Sequence, residues 1–295
     1  MLSVKGFYDL HLHSAPAPFV RLGDSAEVAL WCAEAGMAGI VIKSHFESTV
    51  SKVHHARTAV RDAYPDFKVF SAIALNRGVG GVNPGAVELA LQQGAKIVWL
   101  PTLDAVNHVA AFGAAGTYGF AGMTLTSKRA AKPQLYTVVD ANGKLTAETK
   151  EVIELVIAYD AVLATGHISK SEILETVDYA LAAGAKRVVI THPELAAPKL
   201  DLPTMVDLAK AGCFMEFCAV DLFPMFHCIS LNGLIEAIEA VTPERTILSS
   251  DGGQPFHPKP HECLRVIAHG MLEKGVPMET IQKICIENHK YLLGL

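Results

Sequence analysis

The feature that most constrains this chain is a local pattern that returns four times. A helical stretch closes on Gly, two or three residues follow, and a short run of β-formers begins. It is seen as Ala35-Gly36 before Gly39-Ile-Val-Ile42, as Gly94-Ala-Lys-Ile-Val-Trp-Leu100, as Gly184-Ala-Lys-Arg-Val-Val-Ile190 and as Gly212-Cys-Phe-Met-Glu-Phe217. Gly is favoured just past a helix because it enters the left-handed conformation without a Cβ clash. The apolar runs are short and do not alternate cleanly, which suits parallel strands buried on both faces. Helix starts are also visible. Ser169-Lys-Ser-Glu172 reads as a capping box, Asn83-Pro84 as a cap followed by Pro at the first helical position, and Asp24-Ser25-Ala26-Glu27 as a further start.

Strands are expected near 6–12, 39–44, 68–75, 96–100, 161–166, 186–191, 213–218 and 245–250, with helical stretches between them and more helix over 261–293. Eight βα units argue for an α/β fold closed as a (β/α)8 TIM barrel. An open doubly wound sheet is the runner-up, but no GxGxxG follows the first strand. The 295 residues suit a single domain over 1–295, because one such barrel takes roughly 250. The interval after strand four is too long for a simple connection. Residues 103–148 are read as an insertion, a lid or a subunit contact, with a hairpin around Asn142-Gly143.

Composition narrows the partners. A net charge of -5 argues against nucleic acid, whose phosphates demand a basic surface. No run approaches the roughly 20 apolar residues of a membrane span, and no signal-type stretch opens the chain. The six cysteines form no CxxC pair and mostly sit in apolar runs, the usage of reduced thiols in a cytoplasmic protein. A small-molecule substrate is expected, and a homo-oligomer is one reading of the insertion.

Active sites of such barrels lie at the C-terminal ends of the strands. The first strand ends Asp9-Leu-His11-Leu-His13, and alternation puts His11, His13 and Asp9 on one face. The fifth ends in Gly166-His167, the sixth in His192-Pro193 and the eighth in Asp251-Gly252-Gly253. Four strands therefore end in imidazole or carboxylate, ligands that suit Zn and, less specifically, Mn or Fe. The second strand adds Lys43 and His45 on a shared face. His54, His55, His227, His269 and His289 fall in helices or loops and receive no role.

The order HxH after strand one, His after five, His after six and Asp after eight resembles the amidohydrolase superfamily, from Asp9 to Asp251. The likeness is nearest to a branch of it without an assigned reaction. It implies that His11, His13, His167 and His192 bind one or two divalent metals and that Asp251 touches the metal and moves a proton. Many members carry a carboxylated Lys or a Glu on strand four; here that strand reads Ile97-Val-Trp-Leu-Pro101-Thr102 and has neither. Lys43 is expected to substitute, either as a carboxylated bridging ligand or as an ammonium facing the substrate, because a buried Lys must be paired or modified. His45 is a ligand or a substrate contact. Asp9 is expected to orient a ligating imidazole.

The reaction implied is metal-dependent hydrolysis of a C–N bond in an amide, cyclic amide or imide, with lactones close behind. A phosphoester hydrolase, a metal-dependent decarboxylase and a barrel that binds without turnover are the alternatives. His108, Lys128 and Arg129, with Lys132 nearby, are the candidate substrate contacts outside the strands. His257 and His261 follow the last strand near the mouth.

Overall fold

The computed structural model describes residues 2–119, 123–124 and 134–295. The short apolar runs are strands, as their composition predicts. They are β1 (Tyr8–His13), β2 (Gly39–Lys43), β3 (Lys68–Ala74), β4 (Ala95–Trp99), β5 (Val162–Ala164), β6 (Val188–Thr191), β7 (Phe214–Cys218) and β8 (Thr246–Ser249). They pair in chain order, each neighbour parallel. The ring closes where the Asp251 amide donates to the His11 carbonyl at 2.7 Å and the His13 amide to the Gly252 carbonyl at 2.8 Å. This is the (β/α)8 barrel expected, not an open sheet.

Helices cover the outside. α1 (Ser25–Glu34), α2 (Val50–Val60), α3 (Pro84–Gln92), α4 (Val106–Phe112) and α5 (Ala147–Ala158) lie in the first half. α6 (Lys170–Ala182), α7 (Leu202–Ala211), α8 (Leu231–Val241) and α9 (Pro260–Glu273) lie in the second. All three anticipated helix starts are present. Asp24 with Glu27 and Ser169 with Glu172 form reciprocal capping boxes, and the Asn83 side chain accepts from the Ala86 amide. Among the described residues no helix is long and apolar enough to cross a membrane.

Two apolar layers hold the barrel. One lies between strands and helices and includes Leu12, Ile40, Ile42, Val98, Leu163, Ile190, Met215 and Leu248. The other fills the barrel with Tyr8, Leu10, Val41, Phe70, Ile97, Trp99, Val189, Phe214 and Ile247. Leu292 and Leu293 of α10 (Asn288–Leu293) join this inner layer and plug the lower end. Each such side chain contributes about 1.5–3 kcal/mol on burial. The lower end is thereby dry, and polar side chains gather at the upper one.

One local expectation fails. The pairing of β1 with β2 shifts register between Asp9 and Leu12. Leu10 packs in the inner layer while Leu12 packs in the outer one, so strict alternation breaks between them. Asp9 therefore does not share the His11 face. Its Oδ1 accepts from the backbone amides of His11 and Ser250, and it bonds to no imidazole among the described residues. A bulge of this kind re-aims side chains at barrel rims. Burial pushes the Asp9 carboxyl up to about 7, and the Cys32, Cys263 and Cys285 thiols feel it from the outer layer.

The interval after β4 divides in two. The Asn142-Gly143 turn is present, with a single bridge between Val139 and Leu145. Val138 and Leu145 pack into the outer layer, so this portion belongs to the barrel wall. The earlier portion turns inward, and its Tyr118 and His108 are buried at the upper end.

Gly166 sets the exit of β5. It takes φ +61°, and a Cβ there would collide with the Leu100 carbonyl oxygen. Gly184 also has positive φ (+96°) but meets nothing within 4 Å. Gly166→Ala is expected to destabilise the fold by about 2–4 kcal/mol, because clash adds to left-handed strain, whereas Gly184→Ala costs about 1 kcal/mol. Urea midpoints of the two variants, compared at unchanged slope, measure the difference.

Candidate metal centre

The strand ends bring seven of the expected residues together. His11, His13, Lys43, His45, His167 and His192 are all buried, and Asp251 retains 13% exposure. Asp251 lies at the middle. Its Oδ1 is 3.3 Å from His11 Nε2 and 3.0 Å from His13 Nε2, and its Oδ2 is 3.4 Å from His192 Nε2. Two sets have ligand atoms close enough for one ion: His11, His13 and Asp251, and His11, His192 and Cys218. Asp251 (φ +45°) and His192 (φ +47°) both take left-handed backbone, uncommon for residues with a Cβ and frequent at functional sites.

Behind the rings stands a layer of partners that fixes which nitrogen faces inward. His11 Nδ1 lies 3.4 Å from Glu216 Oε2, and His192 Nδ1 2.6 Å from Asp221 Oδ2. His167 is oriented by another ring. His108 Nε2 lies 3.0 Å from the Thr117 carbonyl and must donate to it, so Nδ1 of a neutral His108 carries only a lone pair. That Nδ1 is 2.9 Å from His167 Nδ1, which must therefore be the donor. His167 Nε2 is left bare, and it has no hydrogen-bond partner among the described residues. Burial pushes His108 down to about 4, which keeps it neutral for this role. His45 is held by the Thr102 hydroxyl at 2.8 Å, with the Tyr118 hydroxyl 3.3 Å from its other nitrogen.

Charge follows the same pattern. Burial would raise the Glu216 carboxyl, but the His11 ring, the charge on His192 and the Ser249 hydroxyl outweigh it and bring it to about 2. Glu216 is thus an anion, and the His11 proton lies on the Nδ1 facing it. Burial also opposes the charge on Asp251, and His11, His13 and His192 overcome it. His192 runs against its own burial and is raised, because Asp221 and Asp251 flank it. Lys43 Nζ sits 2.8 Å from His11 Nε2 and 4.9 Å from the centre of the Trp99 ring, and its burial depresses its pKa. Trp99 is the last residue of β4, and Lys43 reaches the centre from the end of β2, two strands away.

His108 lies behind His167 with both nitrogens engaged inside the protein, rather than facing open space. Lys128 and Arg129, with Lys132, lie outside the described residues. His261 pairs with Glu262 away from the centre. His257 packs on Phe223 and Phe226, and neither ring nitrogen has a partner among the described residues. Sequence reasoning noted Glu216, Phe217 and Cys218 on β7 without deciding which point inward, and it missed Asp221, Tyr118 and Arg21. Glu216 and Cys218 alternate on β7, but that strand is apolar on both sides and gives no hint which face is inward. Asp221 lies in a single 3-10 turn, Ala219–Leu222, and Arg21 in an irregular segment, and both are too short to show a periodicity.

Among solved structures, the chain is similar to an amidohydrolase from Pseudomonas aeruginosa at 12% identity and TM-score 0.65, covering 98% of this chain and 95% of that one. It is similar to the metallopeptidase dipeptidase AC at 11% identity and TM-score 0.63, covering 98% of each. A 2,6-dihydroxybenzoate decarboxylase from Rhizobium aligns at 12% identity and TM-score 0.55, covering 98% of this chain and 99% of that one. At these identities the likeness establishes the fold, and the fold is the one the strand-end pattern led us to expect. No curated protein matches the sequence. A family profile does match, over residues 6–216, which takes in β1 to β6, the first part of β7 and every strand-end residue above except Cys218 and Asp251. The chain belongs to that family, DUF6282, a family of unknown function.

Proposed function

We propose that this chain is a metal-dependent hydrolase of the amidohydrolase superfamily that cleaves a C–N bond in an amide, cyclic amide or imide, with lactones as the nearest alternative. One observation carries the reading. His167 Nε2 presents a bare lone pair, and Asp251 Oδ1 finds no hydrogen-bond donor among the described residues although two ring nitrogens lie within 3.3 Å. Acceptors converging in a buried space repel one another unless a cation sits between them. The donor set, imidazole and carboxylate with oriented rings, fits Zn, Mn or Fe. His11, His13, His167, His192 and Asp251 are the proposed ligands of one ion or two. Such an ion supplies Lewis-acid chemistry and acidifies water toward a pKa of about 7.

The remaining chemistry belongs to side chains. Asp251 takes a proton from the attacking water as the new C–O bond forms. It returns that proton to the leaving nitrogen as the C–N bond breaks. Its residual exposure marks it as the ligand nearest the opening. His45 and the Tyr118 hydroxyl face the same space and orient the carbonyl. Lys43 has two roles open to it. As a carbamate it adds a carboxylate beside His11, and as an ammonium it pairs with the substrate; burial favours the neutral amine that reacts with CO₂.

Metal analysis of the purified protein is expected to find a divalent ion, and chelation to lower both the unfolding temperature and hydrolysis of a panel of cyclic imides, amides and lactones. A metal-free chain indifferent to added Zn, Mn or Fe, or turnover confined to phosphodiesters or to CO₂ release, would refute the assignment. Asp251→Asn is expected to keep most of the metal and lose about 10²–10⁴-fold in kcat, the usual worth of a positioned acid–base group. Unchanged kcat removes the proton-transfer role. Intact mass under non-acidic conditions is expected to exceed the sequence mass by one CO₂, an excess that acidification and Lys43→Met each abolish. A mass equal to that of the sequence assigns Lys43 to the ammonium role.

A further inference from the structure

The loop from β1 to α1 places a charge at the centre that no strand-end motif announces. Arg21 belongs to an irregular segment pinned on both sides. The Ala15 amide donates to the Gly23 carbonyl at 2.8 Å, and the Leu22 amide to the Gly253 carbonyl at 2.8 Å. These bonds hold Arg21 between the exits of β1 and β8, beside His13 and Asp251. The residue as a whole is part-buried, but Nε and Nη1 are sheltered from solvent and have no hydrogen-bond partner among the described residues. No carboxylate among the described residues forms an ion pair with it, and the Phe19 ring lies 5.7 Å from Cζ. Of the charges acting on His13, that of Arg21 ranks first, and Lys43 and His45 feel it too. Burial pushes the guanidinium down to about 10, partly offset by Asp251 and Tyr118.

A buried guanidinium with idle donors is costly unless something completes it. Its planar fork matches a carboxylate through two parallel hydrogen bonds. The walls beside it are aromatic. Phe19 packs against Tyr118 at 6.5 Å and Tyr118 against Phe226 at 5.7 Å, with Leu103 and Met123 in the same cluster. We propose that Arg21 is the specificity-determining residue of this site, and that the substrate is a small carboxylic acid whose carboxylate pairs with Arg21 while an apolar or aromatic body lies against Phe19 and Tyr118. This rests on the hydrolase reading only in calling the ligand a substrate. The acid group lies on the β1 side, so the bond to be cleaved is a separate one, turned toward Asp251.

The test measures binding, not turnover. Benzoate and phenylacetate, with benzamide and phenylacetamide as uncharged counterparts of the same shape, are titrated calorimetrically into metal-free and metal-loaded protein. Wild-type protein is expected to bind each acid at least about tenfold more tightly than its amide in both states, the fork being charge-assisted. Arg21→Gln is expected to erase that preference, and Arg21→Lys to keep part of it, as a point charge without the fork. Metal content and unfolding temperature of both variants are expected to stay at or above wild type, because an idle buried charge is removed or relaxed. Equal binding of acids and amides by wild type, no acid binding at all, or a preference that survives Arg21→Gln overturns the proposal. A chain that holds no metal defeats the hydrolase reading but leaves the metal-free comparison intact, so the two failures are told apart.

Discussion

Everything at the upper end of this barrel depends on the seam between its first and last strands. The Asp251 amide bonds to the His11 carbonyl and the His13 amide to the Gly252 carbonyl. The backbone bonds that close the ring are thus made by the residues whose side chains form the centre. Ring closure and site assembly are one event, and neither the two imidazoles nor the carboxylate needs a long side-chain reach to meet. The left-handed backbone of Asp251 is part of the same arrangement, because it turns the carboxylate inward while its amide serves the seam.

A second layer gives the centre its electrical character. Glu216, Asp221 and His108 each hold the outer nitrogen of a ring, and the inner nitrogens are presented to one space. Glu216 brings negative charge into an apolar wall, and His11 and His192 keep it ionised against its burial. A centre built this way is preorganised for a cation, since little must move to receive one. Trp99 completes it from below, its ring lying against both His11 and the Lys43 side-chain nitrogen.

Much of this was legible in the chain. Apolar runs ending in His167, His192 and Asp251 were readable because a buried strand offers no other reason for a polar terminus, and Gly-terminated helices fixed the order of units. Glu216 was not readable. Its strand is apolar on both sides, so alternation names a pair of residues without naming the inner one. Asp9 was misread because a bulge interrupts the period on which the reading depended. Arg21 gives no local signal at all. Backbone bonds to Gly23 and Gly253 around it set its position, and the second joins segments more than two hundred residues apart. Position in an irregular loop is a tertiary fact, and local sequence carries little of it.

The bulge in β1 has a consequence for how freely this strand can vary. It lets six residues serve three directions: Leu10 into the barrel, Leu12 outward to the helices, and His11 and His13 to the centre. Side chains in an ordinary strand can be exchanged one at a time, but the count of residues between Asp9 and His13 cannot change. Adding or losing one would swap the inner and outer sets together and present apolar groups to the centre. The spacing of this segment is therefore under tighter constraint than the identity of any apolar residue within it.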